Sequence, residues 1–315
     1  GVHQDWESWQ RIVDATRDRF PGLVQWLALR PMESLAIASD WGRILSVVAW
    51  VRDHPRCGRY LRQIDLPGVH TKFIEGHRGV IGSLLDAVLS PEVVDQSARG
   101  LSGFNRRYGF RDKPERVRFR FLDNTCAVEP FLADADLTLD APSFARLNPH
   151  VTRVFITENE INFLAFPHVP KSLLIFGSGY GWSGLREADW LRECTVHYWG
   201  DIDTHGFGIL DQLRSILPQT KSLLMDQSTL LHLRDLCTGE STPAKRQFQN
   251  LNAEERAVLS SLHSAGGWLR LEQERIPFSM LQAALRRVCG DEGRRSFSAS
   301  SSPPASAGQG LSPPR

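Results

Sequence analysis

The stretch VHYWGDIDTHGFGIL (196–210) decides the architecture of this chain. It reads as a buried strand that stops at Asp201-Ile202-Asp203, followed by an amphipathic helix from Thr204. A second apolar run, VFIT (154–157), stops in the same way at Glu158-Asn159-Glu160. If both runs are strands of one parallel sheet, their acids share the carboxyl edge, where open α/β folds bind ligands. Asp201 and Asp203 are two residues apart, so in extended backbone they face one way, roughly 6 to 7 Å apart. Three carboxylates gathered in one crevice raise one another's pKa unless a cation neutralises them. Oxygen donors without paired His or Cys suit Mg²⁺ or Mn²⁺, and a metal held this way leaves positions for water and phosphate oxygens, the arrangement for phosphodiester chemistry. The competing reading of each acid alone is an N-cap for the helix that follows, and Asp203 or Thr204 fits that role.

Working outward, the C-terminal half alternates short apolar runs with helical segments. The runs are RVFIT (153–157), SLLIF (172–176), TVHYW (195–199) and KSLLM (221–225); between them lie NEINFLAF, SGLREADWL and HGFGILDQLRSIL. This alternation predicts a parallel sheet with right-handed crossovers over 149–290, followed by helices near 253–264 and 279–288. Residues 1–58 read as helical, with a tryptophan stripe of Trp6, Trp9 and Trp41 predicted as core. In 59–148, RYLRQID reads as a short strand, TKFIEGHRGVIGSLLDAVL as one helix, and PERVRFRFLD as a half-buried strand with a basic face. The Ser/Pro/Gly/Ala-rich segment 291–315 has almost nothing to bury and is expected to be disordered.

Composition excludes several classes. No run approaches the ~18 to 20 apolar residues of a membrane helix, and the start, GVHQDWESWQ, lacks the apolar core of a signal peptide. The absence of an initiator Met reads as a fragment or a processed form. Five scattered cysteines with no C-x-x-C pair argue against a disulfide framework or a zinc site, and for a reducing, cytoplasmic setting. Net charge is +1, so the overall balance names no partner. Only five of 37 basic residues are Lys, an Arg bias that a GC-rich genome explains first, although Arg forks also suit phosphate recognition. From Arg99 to Arg120, eight basic residues stand against two acids, with Phe104, Tyr108, Phe110, Phe119 and Phe121 interleaved. Arg106, Arg107, Arg111, Lys113, Arg116, Arg118 and Arg120 are thus candidates to grip a DNA backbone, the bland alternative being a solvated face.

A rival fingerprint lies between the two acid clusters. LLIFGSGYGWSGLREADWL carries Gly179-x-Gly181-x-x-Gly184 after a strand, with Asp201 about 20 residues on, the pattern of a dinucleotide site. Against it, VFIT-Glu158 already precedes this strand, and a cofactor site gives no reason for Asp203 to accompany Asp201.

Glu after one apolar strand and D-x-D-x-x-G after a later one resemble the Toprim domain of topoisomerases, primases and related nucleases. DIDTHGFGIL resembles the corresponding stretch of the topoisomerase VI A subunit. The wider strings LRQIDLPGVHTKFIEGHR (61–78), FRDKPERVRFRFLD (110–123), FITENEINFLAFP (155–167), HYWGDIDTHGFGILDQLR (197–214) and LRLEQERIPF (269–278) are together similar to the JetD (MksG) family. These are nuclease subunits of Wadjet-type plasmid-defence systems that act with a condensin-like SMC complex. The resemblance implies a helical remainder of an N-terminal arm (1–58), a winged-helix-like DNA-binding domain (59–148), a Toprim-like catalytic domain (149–290) and the tail 291–315. It also implies a homodimer acting on double-stranded plasmid DNA. Carried over, Glu158 matches the Toprim glutamate and Asp201 and Asp203 the D-x-D pair, all three as Mg²⁺ or Mn²⁺ ligands. Glu160 is an alternative for the first role, His205 could touch a phosphate or act as an acid, and Glu272 or Glu274 could add a ligand. Topoisomerase VI-like enzymes cut through a tyrosine; here Tyr108 has basic company but no doubled-Tyr motif, which favours hydrolysis by water. The function expected is a metal-dependent DNA endonuclease, with a nucleotide-binding protein or a non-catalytic DNA-binding subunit as the alternatives.

Overall fold

The computed structural model describes residues 2–126, 135–177, 182–264 and 267–290. Gly179, Tyr180, Gly181 and the tail from 291 fall outside the described residues. The chain divides into two compact units, residues 1–113 and 114–315.

The first unit is helical, over residues 1–58 as the apolar spacing predicts and beyond them as well. Its main helices are Val2–Arg19, Trp41–Asp53 and Arg78–Val88. Trp41, Ile44, Val48, Leu84 and Leu85 are buried in one core with Phe104 and Tyr108. Trp41 also donates its indole N–H to Thr16 Oγ1 at 2.9 Å, which satisfies the one polar atom it buries. Trp6, placed in the core by its spacing, is 56% exposed instead, because it lies on the outer face of the first helix. The expected strand 59–65 is a 3₁₀ turn at Leu61–Gln63, followed by a Leu66–Val69 bridge around Pro67-Gly68. The single helix expected over 71–89 is two, Thr71–Gly76 and Arg78–Val88. They meet at His77, whose ring reaches the Phe73 carbonyl at 2.9 Å and Asp40 at 3.1 Å.

The second unit holds β1 (Arg116–Phe121), β2 (Leu137–Asp140), β3 (Arg153–Thr157), β4 (Ser172–Phe176), β5 (Thr195–Trp199) and β6 (Lys221–Ser222). They form one sheet in the order β2-β1-β4-β3-β5-β6. β4, β3, β5 and β6 run parallel, and β1 pairs antiparallel with β2 and β4. β3, β4 and β5 are buried almost throughout, which is why they read as unbroken apolar runs rather than alternating ones. β7 (Thr238–Gly239), β8 (His263–Ser264) and β9 (Gly267–Arg270) form a small antiparallel sheet in the order β7-β9-β8.

Two expectations change here. The segment 59–148 is not one body: the division falls at Lys113/Pro114, and β1 is a strand of the large sheet. The alternation Val117, Phe119, Phe121 is real, but the Arg face is covered. Arg118 lies over the Phe163 and Phe176 rings and pairs with Asp136 and Glu160, both at 2.6 Å. Arg120 donates to the carbonyls of Phe163 and Leu164, satisfying the C-terminal end of the helix Glu160–Ala165. The second change is at SGLREADWL, which folds as 3₁₀ turns, Trp182–Leu185 and Asp189–Glu193, not as an α-helix.

Candidate functional site

β3 and β5 are hydrogen-bonded neighbours, with Thr157 opposite Trp199, so the residues leaving them emerge side by side. Glu158 follows β3; Gly200, Asp201 and Asp203 follow β5. Gly200 is required by close approach: a Cβ there would overlap the Tyr198 hydroxyl, which folds over to donate a hydrogen bond to Glu158 Oε1. Asp203 is the N-cap of the helix Thr204–Ile216 and accepts the Gly206 N–H on Oδ1 at 2.7 Å. Gly206 is equally constrained, since a Cβ would overlap the Asp201 carbonyl oxygen. The spacing D-x-D-x-x-G is therefore the shortest way to end a strand, turn, and start a helix with two acids held at the turn.

A third element closes the site. Leu271, just after β9, exchanges both backbone hydrogen bonds with Ile202, at 2.9 and 3.1 Å, and so docks the 270–275 segment against the D-x-D turn. The Gln273 N–H donates to Asp201 Oδ1 at 2.8 Å. Its side chain, 2% exposed, donates to the Trp199 carbonyl and Thr157 Oγ1, both at 2.8 Å, tying the ends of β3 and β5 together. Arg270 donates to Asp201 Oδ2 at 2.5 Å, and its Nε lies 3.1 Å from Asp203 Oδ2. The result is a cleft of about 390 Å³ that includes Glu158, Asp201, Asp203, Glu272, Glu274 and the guanidinium of Arg270.

The electrostatics follow from burial. Glu158 is pushed up to about 7, chiefly by burial and further by the charges of Asp201 and Asp203, against the hydrogen bond from Tyr198. Asp203 is also raised, by burial first, with Asp201 and the buried Glu240 adding repulsion and the Gly206 N–H opposing it. Burial and the neighbouring carboxylate hold the Tyr198 hydroxyl well above its ordinary value, so it stays a donor. Five carboxyl side chains thus line the cleft with one arginine.

Glu160 is not part of this cleft, because its side chain is taken by Arg118. His205 is at the rim, exposed, with Nε2 2.7 Å from the Thr242 carbonyl. Glu274 accepts from the Asn159 side-chain amide, and Glu272 lies 3.7 Å from Arg270. Arg270, Gln273 and Glu240 were not singled out from the sequence. Glu240, 4% exposed in its side chain, accepts from the Thr204 hydroxyl at the start of the helix. An Arg between Leu269 and Leu271 in an apolar strand is a sequence signal that could have found Arg270.

The seven basic candidates are divided between the two units, four on the first and three on the second. Arg106 pairs with Asp95 at 2.9 Å, and Arg107 with Asp86 at 3.0 Å while also bonding the Ala98 carbonyl. Arg118 and Arg120 are committed as described above. Arg111 and Lys113 are exposed on the first unit, and Arg116 on the second. Tyr108 is buried, with its hydroxyl 2.7 Å from Asp86 and 2.8 Å from the Gly82 carbonyl, two acceptors for its one proton, so burial and Asp86 hold it above the ordinary range. The dinucleotide pattern also lacks its physical basis, since no α-helix follows Gly184 to receive a pyrophosphate. Gly184 instead donates its N–H to Glu115 at 2.8 Å, with Ala141 packed against its Cα.

The donor chemistry at the strand ends fits a hard divalent cation: three carboxylates, two of them with raised pKa. Among the described residues, however, no three His, Cys, Asp or Glu side chains stand in the spacing of a metal cage. The Arg270 guanidinium pairs with two of these carboxylates, 2.5 Å from Asp201 Oδ2 and 3.1 Å from Asp203 Oδ2.

Among the described residues, no helix is long and apolar enough to cross a membrane. No curated protein matches the chain. Residues 1–86 match a family described as an uncharacterized protein conserved in bacteria, N-terminal. Residues 109–285, more than half of the chain, match the C-terminal family model of the Wadjet protein JetD. The chain therefore belongs to the JetD family of Wadjet proteins.

Proposed function

We propose that this chain is the DNA-cleaving subunit of a Wadjet anti-plasmid system and hydrolyses phosphodiester bonds of double-stranded plasmid DNA in a Toprim-like site. The observation that carries the reading is the convergence of Glu158, Asp201 and Asp203 at the carboxyl edge of two adjacent parallel strands, inside a polar cleft. These three residues would hold Mg²⁺ or Mn²⁺. When bound, the ion neutralises phosphate charge and activates water. The rest is done by the chain itself. Tyr198 orients Glu158, the Gly206 N–H fixes Asp203, and the Gln273 N–H fixes Asp201, so that the carboxylates are set before substrate arrives. Of the seven basic candidates, Arg111 and Lys113 on the first unit and Arg116 on the second are exposed and outside the ion pairs described above, and each is available to a DNA backbone. Water is the nucleophile, since the Tyr108 hydroxyl is buried and bonded to Asp86. Condensin-like SMC subunits as partners, a homodimer and a cytoplasmic setting complete this reading.

The test is supercoiled plasmid incubated with the chain in Mg²⁺, Mn²⁺ or EDTA, alone and with the partner subunits, beside Asp201→Asn. Metal-dependent nicking or linearisation that the variant loses is expected. Cutting by the variant at the wild-type rate overturns the assignment. DNA binding without cutting, even with the partners present, makes the chain a non-catalytic DNA-binding subunit.

A further inference from the structure

Three of the four oxygens of Asp201 and Asp203 accept a protein N–H, and the fourth lies beside the Arg270 guanidinium. Asp201 Oδ1 takes the Gln273 N–H at 2.8 Å and Oδ2 takes Arg270 at 2.5 Å. Asp203 Oδ1 takes the Gly206 N–H at 2.7 Å, and Oδ2 lies 3.1 Å from Arg270 Nε as an ion pair without hydrogen-bond geometry. Glu272 is 3.7 Å from the same guanidinium. Two of these groups are backbone and cannot leave without unwinding the turn. Arg270 is a side chain, 38% exposed, on a strand whose backbone is pinned through Leu271 to Ile202. It is therefore a cation of the cleft that can swing away while its Cα stays in place. Its guanidinium lies within reach of three carboxylates, with the fixed charge of an ion that never deprotonates.

We propose that Arg270 is a resident counter-cation of the cleft, one that competes with divalent metal for Asp201 and Asp203 and must release them before the ion binds. This rests on the metal reading of the site given above. Metal-free, the arginine holds the D-x-D turn and the 270–275 segment together. With metal present it is displaced toward the open side of the cleft. The charge it removes from the site is one full unit at hydrogen-bond range, partly screened by its exposure, so its loss raises metal affinity at least about tenfold.

The experiment is titration calorimetry of the full chain with Mn²⁺ alone, comparing wild type, Arg270→Gln, Arg270→Lys and Asp201→Asn, each first checked for a cooperative melt. Expected are binding at least about tenfold tighter for Arg270→Gln, affinity near wild type for Arg270→Lys, and loss of binding for Asp201→Asn. Equal or weaker affinity in Arg270→Gln, with Asp201→Asn still abolishing binding, overturns the competition and leaves the metal reading standing. No binding by wild type or Arg270→Gln overturns both. A second measurement does not depend on a folded variant: the Arg270 Nε–H signal of wild-type protein, followed by NMR during Mg²⁺ addition. Faster exchange with solvent as Mg²⁺ saturates is expected, and an unchanged signal at saturation overturns the proposal.

Discussion

Burying Glu158 costs the fold stability at neutral pH and above, and the size of that penalty is measurable. Its carboxyl is raised from an ordinary value of 4.5 to about 7, because burial and two neighbouring acids disfavour its charge. A raised acid binds its proton more tightly in the folded state. Its favourable contribution is full below the unfolded value, near 4.5, and is lost as pH rises through about 7. The difference between 4.5 and 7 corresponds to about 3 kcal/mol. Glu158→Gln removes the titration while keeping an oxygen to accept from Tyr198. In EDTA at pH 8 the variant is expected to be more stable than wild type by up to about 3 kcal/mol, a rise of roughly 6 to 12 °C in Tm for a unit of this size. At pH 5 the two should nearly coincide. Urea or thermal unfolding across pH 5 to 8 measures it, and the comparison is between the two curves. That cancels His197, whose burial lowers it to about 4 and whose own contribution fades as pH falls below about 6.5 in both proteins. A variant that is less stable at pH 8, or whose stability falls between pH 5 and 8 as steeply as wild type's, would refute the buried-charge account of this site.

Other consequences can be tested separately. Arg214→Ala leaves Glu255, 3% exposed and bonded twice by that arginine, as a buried uncompensated charge; unfolding should cost about 3 to 5 kcal/mol less by urea titration. Lys113→Ala and Arg116→Ala should each reduce the salt dependence of DNA binding by about one unit of slope with little change in Tm. Arg118→Ala should do the reverse, lowering Tm while leaving the salt slope alone, because its charge is spent on Asp136 and Glu160. Gly200→Ala should abolish metal-dependent cleavage, since the new methyl displaces the Tyr198 hydroxyl from Glu158; near-UV circular dichroism then separates a displaced ring from an unfolded chain.

What could be read from the sequence follows from what is local. β3, β4 and β5 announce themselves because central parallel strands are apolar on both faces, and the acids that end β3 and β5 mark where those faces stop. Glu158 and the Asp201/Asp203 pair are legible for that reason. Glu158 and Glu160 were indistinguishable by register, because the difference is made by Arg118, far away on β1. β1 alternates correctly, but alternation tells which residues face inward and not which sheet they join. Its basic face looked like a binding surface because nothing in the sequence shows the helix Glu160–Ala165 lying over it. Arg270 is the clearest case of the same limit. It reaches Asp201 from 69 residues further along the chain, and no periodicity carries a contact of that span.

Asp203 shows why the bland and the chemical readings of a strand-end acid need not compete. The N-cap uses one oxygen: Oδ1 receives the Gly206 N–H and starts the helix. That bond fixes the side chain's rotamer and leaves Oδ2 pointing into the cleft, toward Arg270. The cap is thus what preorganises the second oxygen, and capping becomes a means of placing a charge rather than an alternative to it. The two roles separate under substitution. Asp203→Asn keeps an oxygen to cap the helix and loses the charge, so the fold should keep its Tm in EDTA within a few degrees while divalent affinity falls. Asp203→Ala loses both and should destabilise by a further ~1 kcal/mol, the usual worth of a cap. If Asn and Ala were equally destabilising, the cap would not be what holds the helix start, and the placement of Oδ2 would need another cause.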